Sequence, residues 1–551
     1  MSVSRTDKVS YATAGFGDVL THDLAWNVPS ALQFFPVRTW EEAAARVDAH
    51  RYPRHELCAV LERSAAASGA PQTALANVAL LREARTYVVA TGQQAGLLGG
   101  PLYTLHKALS AVRLAQAFET EAGGRARFVP VFWVAGDDHD LAEVDHVHLL
   151  EDDGTVRRVQ AVLSPDSAGC SACDARLDRS AASLDALRAQ LRGGLKDDAA
   201  ADRFVELYLQ HNLSEAFTRL LYEWLGHAGL VVVQSSDVRA LAAPVLRREL
   251  DEYDITARLV REAALELQQH GYKPGFSAQG RVAPHFFLAS EAGRIRAHLD
   301  PLDSGGRFRE RSPAFAARQQ TPRTFSKPEL AELLTTQPQL FSAAAALRPV
   351  VQQYLFPVVA AVLGPGEIAY WAQLKAAHDH FDVVWPLVVP RATVTLLDAP
   401  AAKALRKLDL APTAPELFGG LAALRRKALH GRQVSTGLEA RVARIQAELD
   451  ALTAEVQAAD AGLKTMCDKA RERILHELGR ITQKTEAALG QRDDAGEKRL
   501  RYLAALVRPK DSPQERVLST GQFLVRHPEL VSDLLHAIAP ASREHMIVTL
   551  D

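Results

Sequence analysis

The 551-residue chain is predicted to be an α/β protein, with a parallel sheet interrupted by insertions and a helical coiled coil after it. Three observations point there. Short apolar runs at Tyr87 to Ala90, Phe128 to Ala135, Gly229 to Ser235 and Val383 to Val389 alternate with helical stretches, the pattern of buried strands joined by crossover helices. Glycine-rich or acidic turns follow the first two runs. From Leu438 to Ala470, apolar residues recur in steps of four and three through Leu438, Val442, Ile445, Leu449, Leu452, Val456, Ala459, Leu463, Met466 and Ala470, a heptad frame.

Residues 1 to about 85 read as mixed helix and loop, with amphipathic helices at Glu41 to Val47 and Leu57 to Ser68. After the first strand come Gly92, Gly96, Gly99 and Gly100, then Pro101 at the start of a helix from Leu102 to Phe118. A glycine turn feeding a helix start allows close backbone approach and offers free N–H groups to an anion. Neither G-x-x-x-x-G-K-[ST] nor G-x-G-x-x-G is present, and the competing reading is a turn needed only for packing. His106 and Lys107 lie one turn into that helix, where a cation approaches a phosphate. The second strand ends in Gly136-Asp137-Asp138-His139-Asp140, with Glu143, His146 and His148 behind it. Such a cluster binds a metal or an ammonium group, or supplies a general base; a solvated acidic loop is the plain alternative.

Asp145 to Leu150 and Thr155 to Val162 read as paired strands, Ser180 to His227 as helical, and residues 281 to 299 as short antiparallel strands. Helical signal resumes at Leu347 and runs through Pro357. Gly364-Pro365-Gly366-Glu367 opens a helix to Phe381 and, with Tyr370 and Trp371, resembles a second loop-to-helix anion site carrying aromatics for stacking. Cys170 and Cys173 have the spacing of half a zinc site, without a second C-x-x-C. Proline is absent from Glu416 to Arg508, and the helical segment Pro415 to His430 is expected to fold back as a partner of the heptad helix. The ten-position stripe exceeds what that segment covers, which predicts a homodimer.

Length argues for two to four domains. With 47% hydrophobic and 24% charged residues and a formal net charge of −2, there is no basic excess for nucleic acid or an anionic membrane surface. No apolar run spans a bilayer, the N-terminus has no apolar signal segment, and four cysteines make no disulfide framework. A cytoplasmic chain is expected.

The motifs T-G-Q-Q-A-G-L-L-G-G-P-L-Y-T-L-H-K, F-W-V-A-G-D-D-H-D, L-R-P-V-V-Q-Q-Y-L-F-P, G-P-G-E-I-A-Y-W and P-Q-E-R, in that order, resemble the bacillithiol biosynthesis cysteine-adding enzymes over nearly the whole chain. The resemblance implies a Rossmann-type core similar to class I aminoacyl-tRNA synthetases and nucleotidylyltransferases, two connective insertions, and a C-terminal α-helical coiled coil through which the family dimerises. The implied organisation is a core at 1–150, 229–240 and 341–397, insertions at 151–228 and 241–340, a coiled coil at 398–508 and a C-terminal segment at 509–551. The implied reaction joins the carboxyl of L-cysteine to the amine of glucosaminyl-malate. His106, Lys107, Asp138 and His139 are the catalytic candidates. Substrate binding falls to Gln93, Gln94, Gly96, Tyr103, Trp133, Asp137, Gly366, Glu367, Tyr370 and Trp371. Nucleotide binding falls to Arg501, Gln514 and Arg516, with ATP or ADP as cofactor and no metal firmly implied. Where related synthetase-like families carry H-x-G-H, this chain reads Tyr103-Thr104-Leu105-His106, and it has no clear K-M-S-K-S loop. Ala344 stands where the family carries asparagine. Two rival readings are a metal-dependent hydrolase using the Asp/His cluster and a non-catalytic coiled-coil scaffold with a degenerate core.

Overall fold

A computed structural model describes residues 3–280, 282–290, 294–302, 306–429, 433–490 and 494–550. Arg281 and residues 291–293, within the expected strand-rich stretch, and His430, the expected end of the back-folded helix, lie outside the described residues.

The core is a five-stranded, wholly parallel sheet. Its strands are β2 (Thr86–Gln93), β3 (Arg127–Val134), β6 (Val231–Gln234), β12 (Val358–Leu363) and β13 (Leu387–Pro390), in spatial order β13-β12-β2-β3-β6. Helix α1 (Tyr103–Ala122) carries the chain from β2 to β3. The sheet grows to one side of β2 through β3 and β6, then to the other through β12 and β13. The order therefore reverses between β2 and β12, and the crevice beyond their carboxyl ends is where ligands collect in such folds. The strands are apolar along nearly their whole length because helices cover both faces.

Two insertions interrupt the sheet. The first begins before the expected residue 151, since it holds the antiparallel pair β4 (His146–Leu150) and β5 (Val156–Gln160), then helices Ala181–Leu195, Asp198–Gln210 and Leu213–Leu225. The second begins with helix Ala243–Gln269 and carries an antiparallel sheet of β7 (Phe286–Ala289), β8 (Arg296–Pro301), β9 (Arg307–Arg311), β10 (Thr324–Ser326) and β11 (Phe341–Ala343), in the order β10-β9-β8-β7-β11.

Four stretches differ from expectation. Val358–Leu363, unassigned above, is the strand between β2 and β13; its V-V-A-A-V-L run lacks a period that tells a buried strand from a buried helix. The expected helix from Glu367 to Phe381 is two, Pro365–Trp371 and Lys375–His380, while α2 (Arg348–Leu355) precedes β12 and Pro365–Trp371 is α3. The N-terminal stretch opens with strand β1 (Val3–Val9), which pairs with β15 (His545–Leu550), itself beside β14 (Val394–Leu397). Such pairing between distant segments leaves no local sequence trace. The heptad stretch is an antiparallel hairpin of α4 (Gln433–Ala459) and α5 (Lys464–Gly490). The chain reverses at Asp460–Leu463, where the Gly462 N–H donates to Asp460 Oδ1 at 2.8 Å. The partner of α4 is thus α5, whereas Gly420–Leu429 packs mainly against helix Asp494–Val507.

Candidate active site

The glycine-rich loop after β2 is a buried packing turn. Gly96 N–H donates to the Gln94 carbonyl, Leu97 N–H to that of Val144, Gly100 N–H to that of Leu97 and Leu102 N–H to that of Leu518. Leu98 N–H donates to the Tyr208 hydroxyl at 2.9 Å. These donors are spent inside the protein, so the anion cradle expected here does not form. Glycine is required for shape: Gly99 sits at φ +79° against Trp224, and a Cβ on Gly96 would lie 2.8 Å from Gly100 Cα.

Lys107 and His106 are successive helical residues, about 100° apart around α1, and they face different surroundings. Lys107 turns toward the sheet. Its ammonium donates to the Gly92 carbonyl at 2.9 Å and to Gln93 Oε1 at 2.7 Å, and pairs with Glu367 on α3. Burial pushes its pKa down, Glu367 working against it. Glu367 also accepts the Gly364 N–H at 2.9 Å, so one buried pair ties the end of β2 to the start of α3. His106 faces the C-terminal segment instead: Nδ1 meets Glu515 Oε2 at 2.8 Å, and the same carboxylate pairs with Arg391. Burial alone would raise Glu515, but Arg391 and His106 more than offset it and hold the carboxyl far below its usual range.

Beyond the ends of β2 and β12 lies a cavity of about 430 Å³, within the roughly 300–1,000 Å³ usual for small-molecule sites. One wall is Gly92, Gln93, Gln94, Trp133, Asp137, Asp138 and His139; the other includes Arg348, Glu367 and Tyr370. The second insertion closes over it with Phe287 and Arg296. Asp138 Oδ2 accepts from Gln94 Nε2 at 2.6 Å and Oδ1 from the Asp140 N–H at 3.1 Å. Burial works to raise its pKa, yet these two bonds prevail and hold it below the ordinary value, so it is charged at neutral pH. His139, a third exposed, has its pKa lowered first by burial and then by Arg296, whose Nη1 lies 3.5 Å from Nδ1. The imidazole is therefore neutral near pH 7. Asp137 is taken by Arg239, whose Nε donates to it at 2.8 Å.

Of the residues singled out from sequence, the cavity gathers Gln93, Gln94, Trp133, Asp137, Asp138, His139, Glu367 and Tyr370. Lys107 and Tyr103 stand just behind Gln93, the Tyr103 hydroxyl 3.4 Å from its Nε2. His106, Gly96, Gly366 and Trp371 do not line it. Trp371 is 1% exposed and packs against Trp385 and His378, because consecutive residues on α3 point Tyr370 and Trp371 to different sides. Arg501, Gln514 and Arg516 lie apart from the cavity. The Gln514 side chain accepts from the Leu396 N–H and donates to the carbonyls of Leu396 and Leu506, which uses its whole amide. Arg501 pairs with Glu497. With the loop donors spent and Lys107 paired, the residues around the glycine turn do not fit a nucleotide phosphate chain. Among the described residues no group of three or more His, Cys, Asp or Glu converges as a metal site, and Arg239 and Arg296 occupy the positions around Asp137 and His139 that a cation would need.

The sequence did not single out Arg239, Arg296, Arg348, Ser235 or Phe287 as site residues. Arg348 stood inside the quoted L-R-P motif. Arg296 lies on an insertion strand whose alternation shows no sign that it folds back over the sheet edge.

Family models agree with this architecture. The bacillithiol biosynthesis BshC N-terminal Rossmann-like domain matches residues 6–392, and the BshC C-terminal coiled-coil domain matches residues 394–550. Three curated relatives carry the name "Putative cysteine ligase BshC". The Bacillus cytotoxicus protein is 30% identical over 83% of each chain. The Geobacillus thermodenitrificans protein is 30% identical over 94% of this chain and 95% of its own. The Salinibacter ruber protein is 29% identical over 87% and 86%. No described helix is long and apolar enough to cross a membrane.

Proposed function

The chain belongs to the bacillithiol biosynthesis BshC family, and from that premise we propose that it is a cysteine ligase forming the amide between the L-cysteine carboxyl and the amine of glucosaminyl-malate. The observation that carries this reading is the cavity at the β2–β12 crevice, where an ionised Asp138 and a neutral His139 face Arg348 and Tyr370. An amino sugar arrives as an ammonium, which cannot attack a carbonyl until it loses a proton. Asp138, oriented by Gln94, receives the ammonium. As the amine nitrogen bonds to the cysteine carboxyl carbon, the C–O bond there breaks, its oxygen departs with the group that activates it, and His139 takes the amine proton. Lys107 and Glu367 hold the two loops that flank the crevice, and His106 with Glu515 and Arg391 anchors α1 to the C-terminal segment. Both sets are positioning groups.

A ligase of this family suggests ATP as the nucleotide, with ADP as the form left after use. The glycine turn does not fit its phosphates, so the residues around that turn are given no role toward a nucleotide. We place the chain in the cytoplasm, as a homodimer through the coiled-coil hairpin. A metal-dependent hydrolase is the weaker reading, since Arg239 takes Asp137 and Arg296 lies 3.5 Å from His139 Nδ1.

The test is direct synthesis. Full-length protein incubated with L-cysteine and glucosaminyl-malate, with and without ATP, is followed by mass spectrometry for the amide product. A product in either condition that disappears in Asp138→Asn supports the reading. Its absence in both conditions, from folded protein that binds neither substrate, would overturn it.

A further inference from the structure

Among the described residues, two arginines on this cavity make no direct carboxylate contact, and Arg296 feels the charges of Asp137 and Asp138 only through space. Arg296 is 6% exposed and lies 3.7 Å over the Phe287 ring. Its Nε donates to Ser342 Oγ at 3.0 Å and Nη2 to the Ala343 carbonyl at 3.2 Å, with His139 Nδ1 3.5 Å from Nη1. Arg348, half-buried, donates to Gln352 Oε1 and to the Tyr370 hydroxyl, each at 3.1 Å. None of these partners is a carboxylate. The carboxylates nearby have other partners: Asp137 has Arg239, Glu367 has Lys107, and Asp138 accepts from Gln94 and the Asp140 N–H.

Taking a guanidinium out of water is costly unless an anion compensates. Each arginine carries five N–H groups in a planar fork, and both retain N–H groups beyond the bonds above. The two side chains flank one backbone stretch: Arg296 binds the Ala343 carbonyl, the Arg348 N–H binds that of Ala344, and Ala343 and Ala345 both line the cavity. Trp133, on the same cavity, has a buried Nε1–H with no partner among the described residues. A wall rich in unspent donors and fixed in geometry matches planar carboxylates.

We infer that Arg296 and Arg348 form a dicarboxylate subsite that holds the malyl end of the amine substrate and turns its amino group toward Asp138 and Gln94. This rests on the ligase reading above. Cysteine also brings a carboxylate, but only one, and that group loses its charge as the amide forms. Two arginines on it would stabilise the ground state more than the transition state. Two forks for two malyl carboxylates is the better match.

Isothermal titration of the full-length protein with three probes tests the subsite: glucosaminyl-malate, methyl glucosaminide (the amino sugar without the dicarboxylate) and L-cysteine. Arg296→Met and Arg348→Met are each expected to weaken glucosaminyl-malate about 10- to 100-fold, the loss of a charge-assisted bond. Methyl glucosaminide and L-cysteine should keep their wild-type affinities, and the Lys variants should recover only part of the loss, because an ammonium lacks the fork. Loss confined to L-cysteine would assign the arginines to the cysteine carboxylate and overturn the inference, as would unchanged affinity for all three probes. Thermal melts report folding; should Arg296→Met unfold, the half-buried Arg348→Met carries the test. Wild-type protein that binds no glucosaminyl-malate defeats the ligase reading and the subsite together. Wild-type protein that binds it, with variants that bind equally well, defeats the subsite alone.

Discussion

His139 shows how surroundings set the charge of a single side chain. Burial comes first and Arg296 second in lowering its pKa, while Asp138 works the other way. The sign follows: a base whose pKa lies below the ordinary value of about 6.5 stays free at neutral pH. The acid limb of kcat/KM should therefore fall below about pH 6.5 rather than at it. His139→Gln should remove that limb and lower kcat by roughly 10²–10⁴, the usual worth of a positioned base. Steady-state rates from pH 5 to 9 on both proteins check this; an unchanged limb in the variant would assign the titration to another group. Asp138 and His139 were legible because an acidic run directly after an apolar strand places them at a sheet edge. Lys107 was legible as a cation beside β2, but not as one already paired, because Glu367 lies 260 residues away and only the β2–β12 contact brings them together.

Elements were read well where their signal is local and poorly where it is shared between distant segments. The run Tyr87 to Ala90, helix α1 and the acidic turn after β3 follow from apolar periodicity. The heptads were equally plain, yet they extended through Asp460-Ala461-Gly462, where an Asp side chain and a glycine turn the chain without proline. The resulting hairpin leaves Ile445 and Leu452 on α4, and Ile474 and Ile481 on α5, at least 40% exposed. Each pair is spaced by seven, so each forms one row along its helix. Rows of exposed aliphatic residues on both helices are what a second hairpin would cover. Changing Leu452 and Ile481 together to Lys should convert a dimer to a monomer in light scattering without lowering the melting temperature of the core. A mass unchanged by the double substitution would remove the hairpin from the dimer interface.

At the scale of the whole molecule, chain order explains where the site lies. The sheet reverses direction of growth between β2 and β12, the second insertion returns over that crevice with Arg296 and Phe287, and β15 closes the C-terminus onto β1. The order of motifs along the chain made the core and coiled coil legible. The return of the insertion and the N- to C-terminal pairing were not, since neither has a local period. On the ligase reading, this crevice recognises a free amine through Asp138. It is tested most directly by titrating glucosaminyl-malate and its N-acetyl derivative into wild-type protein and Asp138→Asn. Wild-type protein should prefer the free amine by about 10- to 100-fold, the worth of a charged hydrogen bond, and Asp138→Asn should bind both forms alike. Equal binding of the two by wild-type protein, or a preference that survives in Asp138→Asn, would contradict it.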